Sequence, residues 1–394
     1  MQLSRPRLSS LLPLALVLGG AALVPGSAAG ADRWGRPEFV LELRGNYYYE
    51  LSTRVYEPMV SLDVSLDNPA GRTTVGVDYT LDAVTSASLN FGVMNQDQLV
   101  SEYRNEEAVS VSHDTGLFAA GASYRFSKEC VYNYLGTGMH SCDYVAGSGS
   151  GFVELRLFGD TMLLRAVGSH GHDDVFKRFG GRVVDGKGRL DTWYGGLYWT
   201  QILDRTTIFR ASYDLMFQDG FQANAYRRVN VAGINLDERH PLMRWRHTGA
   251  FALKHRIPEL GATLEVGYRY YHDDWKITGQ DVDLKTYVDL TPWLELRVGY
   301  RFYAQNAAFF WKPSYGGIED AEDPLFTGDP KLAPFQTHTL GARLELDLDV
   351  LHHVPLLRVL SNGWLDFHYD YMFQNNSYGN AHMIGFSLWF KIDP

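Results

Sequence analysis

The chain has 394 residues and a formal net charge of −10, with 45% apolar, 14% aromatic and 21% charged residues and 39 glycines. Intrinsically disordered chains are poor in aromatic residues, so this composition excludes a disordered protein. No run of about 18 apolar residues follows the N-terminal segment, which excludes a helical membrane protein. An acidic chain without a run of Lys and Arg also argues against nucleic acid as a partner.

The N-terminal segment, residues 1–31, has the pattern of a cleaved secretory signal peptide. Two arginines form its basic start, residues 11–24 are apolar, and residues 29–31 are the small residues that precede a cleavage site. We therefore expect an exported chain whose mature part, residues 32–394, forms one domain. The alternative, an N-terminal membrane anchor, is disfavoured because the apolar run is short and contains proline and glycine.

Along the mature chain, apolar and polar residues alternate. In residues 262–270 one face carries Ala, Leu, Val and Tyr, and the other carries Thr, Glu, Gly and Arg; residues 294–303 and 340–350 repeat this pattern. A period of two predicts β-strands whose two faces meet different environments. Charges lie in mid-strand on the polar face, and aromatic residues lie at the strand ends of the apolar face. That distribution is typical of a transmembrane β-barrel with lipid outside and a polar lumen.

About sixteen strands are predicted, and they are joined by connections of alternating length. In chain order the strands are residues 38–49, 54–66, 72–84, 106–113, 118–126, 151–158, 161–170, 191–202, 206–218, 243–256, 262–271, 281–288, 293–304, 336–350, 363–373 and 380–391. Short turns alternate with long connections, which are residues 85–105, 127–150, 171–190, 219–242 and 305–335. The connection 351–362 is longer than the other short ones and is expected to form a helical turn. The sequence thus predicts an all-β fold: a single antiparallel up-and-down barrel with short periplasmic turns and long extracellular loops.

Four local patterns resemble those of a known family. They are LDAVTSAS at 81–88, YRYYHDDW at 268–275, RFYAQNAAFF at 301–310 and GDPKLAPF at 328–335. They come in the order found in a domain-of-unknown-function family of Gram-negative outer-membrane β-barrel proteins, and together they span most of the mature chain. The resemblance implies a barrel in the bacterial outer membrane, and it implies no activity.

Charged side chains on the polar face are the first candidate functional residues. We predict that they line the lumen, and they are Glu42, Arg44, Asp78, Arg156, Arg210, Asp214, Glu265, Arg269, Glu295, Arg297, Arg301, Arg343, Glu345, Asp347 and Asp366. A barrel of 16–18 strands is wide enough to leave an aqueous channel, and rings of charge along it would set solute preference. The arginines at 269, 297 and 343, facing acids, most resemble a selectivity feature. The alternative is a lumen whose charges are merely solvated and neutralise one another.

Two clusters of histidine and acidic residues are the second candidate site. The first contains His170, His172 and Asp173, and the second contains His272 and Asp273. Imidazole and carboxylate groups are suitable ligands for a divalent transition metal, and the same groups serve as acid and base in hydrolases. Both clusters are predicted at the outer ends of strands, so a shared site at the rim is conceivable. The favoured alternative is that they are structural residues of the rim.

The two cysteines, Cys130 and Cys142, lie in a predicted extracellular loop. Disulfides persist in exported proteins, and the pair does not form a CxxC motif, so we expect a disulfide that staples this loop. No Walker A loop, dinucleotide glycine motif or CxxCH haem motif occurs in the sequence, so no cofactor is expected.

The function that this sequence favours is a porin-like channel or transporter for small solutes, without enzyme activity. Its expected partners are outer-membrane lipid and a small solute or ion, with a periplasmic or extracellular protein as a further candidate. Two alternatives remain open: a loop-plugged barrel that binds a partner protein, and an outer-membrane hydrolase with a His/Asp site at the rim.

Overall fold

The computed structural model describes residues 35–51, 53–86, 100–132, 141–179, 182–225, 227–316, 325–355 and 357–392. The predicted signal segment lies outside these ranges, as does most of the predicted loop 85–105. None of the helices in the described part of the chain is long and apolar enough to cross a membrane.

Eighteen strands account for most of the described residues. They are β1 (Glu38–Tyr49), β2 (Thr53–Asn68), β3 (Gly71–Ser86), β4 (Val100–Asp114), β5 (Phe118–Tyr132), β6 (Ser141–Leu157), β7 (Met162–Phe179), β8 (Arg182–Ile202), β9 (Thr207–Gly220), β10 (Arg228–Val231), β11 (Ile234–Asp237), β12 (Met243–Ile257), β13 (Ala262–Asp273), β14 (Thr278–Thr291), β15 (Leu294–Gln305), β16 (Phe335–Asp347), β17 (Gly363–Gln374) and β18 (Ala381–Ile392).

Sixteen of these strands form one closed antiparallel barrel, which confirms the predicted fold. Each strand pairs with its neighbours along the chain, and β1 closes the ring by pairing with β18 from Phe39↔Ile392 to Tyr49↔His382. The short strands β10 and β11 form a separate hairpin within the connection from β9 to β12. Closure leaves no strand of the barrel with an unpaired edge, which is what a sheet in lipid requires.

The outer surface of the barrel is apolar and ends in aromatic residues. On β13, Leu264, Val266 and Tyr270 are 42%, 49% and 44% exposed, and they alternate with polar residues of the opposite face. Near the extracellular end, Phe217 stacks between Trp193 and Trp245, with ring centroids 5.4 Å and 4.4 Å away. These rings form part of the aromatic belt expected at a membrane interface.

Two of the predicted extracellular loops are wrong, because the strands continue through them. β5 and β6 extend into residues 127–150, and β7 and β8 extend into residues 171–190. Above the membrane both faces of a strand meet water, so the apolar half of the alternation disappears while backbone pairing continues. The sequence pattern that identified the strands therefore ended before the strands did.

The periplasmic connections are short, as predicted. β12 and β13 are joined through a 3-10 turn, Pro258–Leu260, that ends at Gly261 with a φ of 58°. This left-handed conformation favours glycine, which has no side chain to clash with the backbone. The helical turn predicted within 351–362 is confirmed by the 3-10 turns Leu348–Leu351 and Arg358–Leu360.

Candidate functional site

The strand register identifies the lumenal face of the barrel. Directly paired residues of antiparallel strands lie on the same face of the sheet, and Glu265 pairs with Lys285. Their neighbours Leu264 and Leu284, on the other face, are exposed apolar residues of the outer surface. Following the register around the ring places the predicted lumenal set on the polar face, and its members are Glu42, Arg44, Asp78, Arg156, Arg210, Asp214, Glu265, Arg269, Glu295, Arg297, Arg301, Arg343, Glu345, Asp347 and Asp366. That these side chains border a continuous water path stays a prediction.

The predicted row of three arginines is only partly assembled. Arg297 and Arg343 are directly opposite each other on β15 and β16. Arg269 is separated from them by β14 and pairs in register with Asp281. Arg343 forms an ion pair with Asp366, whereas Arg297 has no ion pair within 4.0 Å among the residues that the structure describes.

A cavity of about 840 Å³ lies inside the extracellular half of the barrel. Basic and acidic groups line it together, and they are Lys285, Arg297, Arg301, Lys331, Glu50, Asp283 and Asp370. Lys285 Nζ lies 2.7 Å from Asp283 Oδ2, and Arg301 is paired with Asp281. The sequence interpretation missed Lys285 and Asp283, although both lie on the polar side of the alternation in β14.

An extracellular cap borders this cavity. We use this name for residues 227–240, which include β10 and β11, together with residues 306–316 and 325–334. The isolated bridges Val231↔Tyr315 and Arg239↔Phe326 join these segments. Lys331, in the 3-10 turn Pro330–Leu332, belongs to the cap and also lines the cavity. The cap and the lumenal cavity therefore share a wall.

Two small apolar cores among the described residues hold the cap, and the first also includes two residues of the connection from β13 to β14. The first consists of Trp275, Ile277, Ala308, Phe310 and Leu332. Three of the four sequence segments that resemble the known family, 268–275, 301–310 and 328–335, each contribute to this cluster. Segments far apart in the chain thus meet at one point above the barrel.

The second core contains Val229, Val231, Tyr315 and Phe326. The Tyr315 hydroxyl donates to the carbonyl oxygen of Phe310 at 2.9 Å and accepts from the backbone nitrogen of Thr327 at 3.1 Å. Because Phe310 belongs to the first core, this hydroxyl connects the two cores.

A buried ion-pair cluster lies beside the second core. The side chain of Glu238 is fully buried, and its Oε1 accepts from Thr327 Oγ1 at 2.9 Å and from the backbone nitrogen of Gly328 at 2.8 Å. Arg227 Nη1 lies 3.6 Å from Glu238 Oε2 and 3.0 Å from Asp329 Oδ2. Buried charges persist only when they are paired and hydrogen-bonded, so this cluster fixes the position of residues 327–329 against residues 227–238.

A second buried pair lies at the barrel rim, next to the first core of the cap. The carboxylate of Asp273 is fully buried and accepts from Arg244 Nε at 2.9 Å, from the Tyr271 hydroxyl at 2.7 Å and from the backbone nitrogen of Ile277 at 2.8 Å. The Arg244 guanidinium also lies 4.0 Å from the ring centroid of Trp275. This pair holds the connection from β13 to β14 under the cap.

Acid is expected to weaken the cap through His240. Its ring contacts Trp275 and Phe310, and its Nε2 is buried without a hydrogen bond to any residue that the structure describes, 3.9 Å from Glu238 Oε2. Burial lowers the pKa of His240, although the nearby Glu238 opposes the shift. An opened cap therefore binds the proton more readily than the closed one. The closed cap therefore keeps its full stability above the ordinary histidine pKa. It loses stability as the pH falls from that pKa toward the lowered pKa of His240.

Hydrogen exchange of residues 306–316 measures this effect. Exchange in the wild-type protein is expected to accelerate between about pH 7.5 and pH 5, around the ordinary pKa of about 6.5, beyond the intrinsic pH dependence of exchange. In a His240→Gln variant this additional acceleration should disappear. The same residual pH dependence in both proteins would show that another group is responsible.

The two His/acid clusters do not form the shared rim site that was conceivable from the sequence. His170 and His172 pair in register with Trp193 and Asp191 on the outer face, whereas the neighbouring Asp173 faces the lumen. The same alternation separates His272, which is exposed, from Asp273, which is buried against Arg244. Among the described residues, no group of three or more His, Cys, Asp or Glu side chains is arranged to hold a metal ion. Metal binding and hydrolase activity stay predictions from the sequence.

The predicted disulfide is present. Cys130 and Cys142 are bonded, and they join the extracellular ends of β5 and β6. Their connection includes residues 133–140, which lie outside the described ranges. Closing a loop of this length removes about 3 kcal/mol of chain entropy from the unfolded state, in the loop-entropy account.

One family model matches more than half of the chain. It is described as Protein of unknown function (DUF3570), and the match covers residues 117–357. The chain belongs to this family. The family match runs from the turn before β5 to the connection before β17, so it includes all segments of the cap. Among curated proteins, none has a sequence that matches the chain.

Three solved structures that resemble this chain are those of CdiB, the outer membrane protein OpdK and OccD3. CdiB from Acinetobacter baumannii has a TM-score of 0.50 and 12% identity, with 90% of this chain and 60% of that chain covered. The outer membrane protein OpdK from Pseudomonas aeruginosa has a TM-score of 0.43 and 11% identity, with coverages of 91% and 98%. OccD3 (OpdP) from Pseudomonas aeruginosa has a TM-score of 0.44 and 11% identity, with coverages of 90% and 91%. The chain spans about three fifths of the length of CdiB, and at these identities the likeness concerns the fold alone.

Proposed function

We propose that the protein is a channel of the bacterial outer membrane through which small hydrophilic solutes diffuse. The observation that carries this proposal is the cavity of about 840 Å³ inside a closed barrel, lined by charged side chains of both signs. A barrel of sixteen strands has a lumen wider than its side chains can fill. The predicted signal peptide, residues 1–31, would direct the export of the chain. The proposal assigns no catalytic step to the protein.

Single-channel recording in a planar bilayer tests the proposal. The purified protein is expected to produce discrete conductance steps. Thr339→Trp should reduce their size, because this residue lines the cavity. Thr286→Trp is the matched control, because Thr286 pairs in register with Leu264 and Val298, which are exposed on the outer surface.

Two results would contradict the proposal. A bilayer that stays at its baseline would indicate a sealed barrel and favour the loop-plugged, partner-binding alternative. Equal conductance in the wild-type protein and the Thr339→Trp variant would indicate that current does not cross the lumen.

A further inference from the structure

We infer that the lumen is electrically polarised across its width and that the channel prefers zwitterionic solutes, such as amino acids, over uncharged solutes of the same size. This inference rests on the proposed channel function and deepens it. It is carried by the separation of lumenal charges onto two opposite walls of the barrel.

The first wall is acidic and consists of β1 to β4. Among the side chains that the structure describes, nine acidic and three basic ones lie on its lumenal face. The acids are Glu38, Glu42, Glu57, Asp63, Asp67, Asp78, Asp82, Glu106 and Asp114, and the bases are Arg44, Arg72 and Arg104.

The second wall is basic and consists of β9, β12 and β13. Among the described side chains, six basic and three acidic ones lie on its lumenal face. The bases are Arg210, Arg244, Arg246, Lys254, Arg256 and Arg269, and the acids are Asp214, Glu265 and Asp273.

The two walls face each other across the lumen. In the closed ring of sixteen strands, β12 is eight strands from β2, and β13 is eight strands from β3. Eight steps in a ring of sixteen lead to the opposite side. A solute in the lumen therefore has an excess of acid on one side and an excess of base on the other.

Two of the opposing charges, Asp78 and Arg269, lie at the same height along the barrel. Asp78 lies seven residues above Gly71, the periplasmic end of β3, and Arg269 lies seven residues above Ala262, the periplasmic end of β13. With a rise of about 3.4 Å per residue and a strand tilt of about 40°, both lie roughly 18 Å above the periplasmic rim. Asp63 is five residues above its own strand end at Asn68. The opposing charges thus act on the same segment of the lumen.

Several of these opposing charges are not neutralised locally. Among the described residues, Asp63 and Asp78 on the acidic wall form no ion pair within 4.0 Å, and neither do Arg210, Lys254 and Arg269 on the basic wall. Among the other charges of the two walls, all but Glu57, Arg246 and Asp214 form an ion pair with a described residue, as in Arg104 with Asp82 and Arg244 with Asp273. Paired charges contribute little to the field across the lumen, so the unpaired ones dominate it.

Such a field acts on a dipole and on a net charge in different ways. Each end of a zwitterion is attracted to one wall, so its carboxylate turns toward the arginines and its ammonium toward the aspartates. Low-dielectric walls concentrate the field inside a cleft, and dissolved salt screens it over about 10 Å at 0.1 M ionic strength. The preference for a zwitterion should therefore weaken as the salt concentration rises.

Osmotic swelling of proteoliposomes tests the inference with two isomers. Alanine is a zwitterion, and lactamide has the same atoms without charges. The wild-type protein is expected to admit alanine about threefold faster than lactamide, which corresponds to roughly 0.7 kcal/mol of preference. The rates are compared at low ionic strength, and the excess for alanine should decrease when salt is added.

A quadruple variant separates polarity from net charge. In D63N/D78N/R210Q/R269Q two acids and two bases are neutralised, so the net lumenal charge is unchanged while the unpaired charges of both walls are reduced. The alanine to lactamide ratio should fall close to one. The control E259Q/R205Q removes one charge of each sign in the exposed periplasmic turns and should keep the wild-type ratio.

Each outcome has a distinct meaning. Equal swelling rates of the wild-type protein in alanine and lactamide overturn the polarised lumen while leaving the channel function intact. A quadruple variant that keeps the wild-type ratio also overturns it. No swelling in either solute overturns the channel function and, with it, this inference.

Discussion

Replacement of Asp273 by alanine is expected to open the extracellular cap while the barrel stays closed. The fully buried carboxylate accepts hydrogen bonds from Arg244, Tyr271 and the backbone of Ile277. Without it, the Arg244 guanidinium remains buried with no opposite charge, because its side chain is only 10% exposed. Breaking a buried pair from one side costs about 3–5 kcal/mol. Hydrogen exchange of residues 306–316 should therefore accelerate by roughly two to four orders of magnitude.

The neighbouring acid provides the matched control. Asp274 follows Asp273 in the chain but is exposed, so Asp274→Ala should leave exchange in the cap unchanged. The strands β2 to β6 are at least four strands away from the pair, and their exchange should not change in either variant. If both substitutions accelerate exchange equally, the buried pair does not hold the cap.

The barrel could be predicted from the sequence because its signal is local and repeated. On β13, the alternation of Leu264, Glu265 and Val266 reports directly which side faces lipid and which faces the lumen. The same rule identified most strands and placed Arg269 and Arg297 on the lumenal face. It requires no knowledge of contacts between distant residues, since each strand meets the same two environments.

The cap could not be predicted, because its stability depends on contacts between remote segments. Glu238 is separated by 89 residues from Thr327, whose hydroxyl it binds. Neither residue lies in a periodic sequence pattern that would predict its burial. The only sequence signal was the resemblance to a family, since three of its segments contribute Trp275, Phe310 and Leu332 to one apolar core.

The His/acid clusters show how a local signal can mislead. Residues that are close in sequence, such as His172 and Asp173, are readily interpreted as ligands of one metal ion. On a strand, however, consecutive side chains point to opposite faces, so His172 meets Asp191 outside while Asp173 faces the lumen. The prediction placed these residues at a strand end, where that alternation would not apply, because the extension of β7 was missed.

Truncation of Phe326 to alanine is expected to loosen the second core of the cap and to enlarge the opening above the lumen. Phe326 has no exposed surface, packs edge-on against Tyr315 with ring centroids 6.2 Å apart, and lies under the Arg239 guanidinium. Removing a buried phenylalanine ring costs about 3–5 kcal/mol. Since Lys331 of the cap lines the lumenal cavity, release of this segment should increase single-channel conductance and expose residues 325–334 to protease.

Phe309 is the matched control, because it belongs to the same cap but is 56% exposed. Phe309→Ala should leave both conductance and protease resistance close to those of the wild-type protein. A Phe326→Leu variant fills most of the space and is expected to behave between the two, because volume-conserving apolar substitutions are tolerated best. An increase in protease cleavage without a change in conductance would mean that the cap is folded as described but does not restrict the path through the lumen. If Phe326→Ala changes neither property, the apolar core is not what holds residues 325–334 in place.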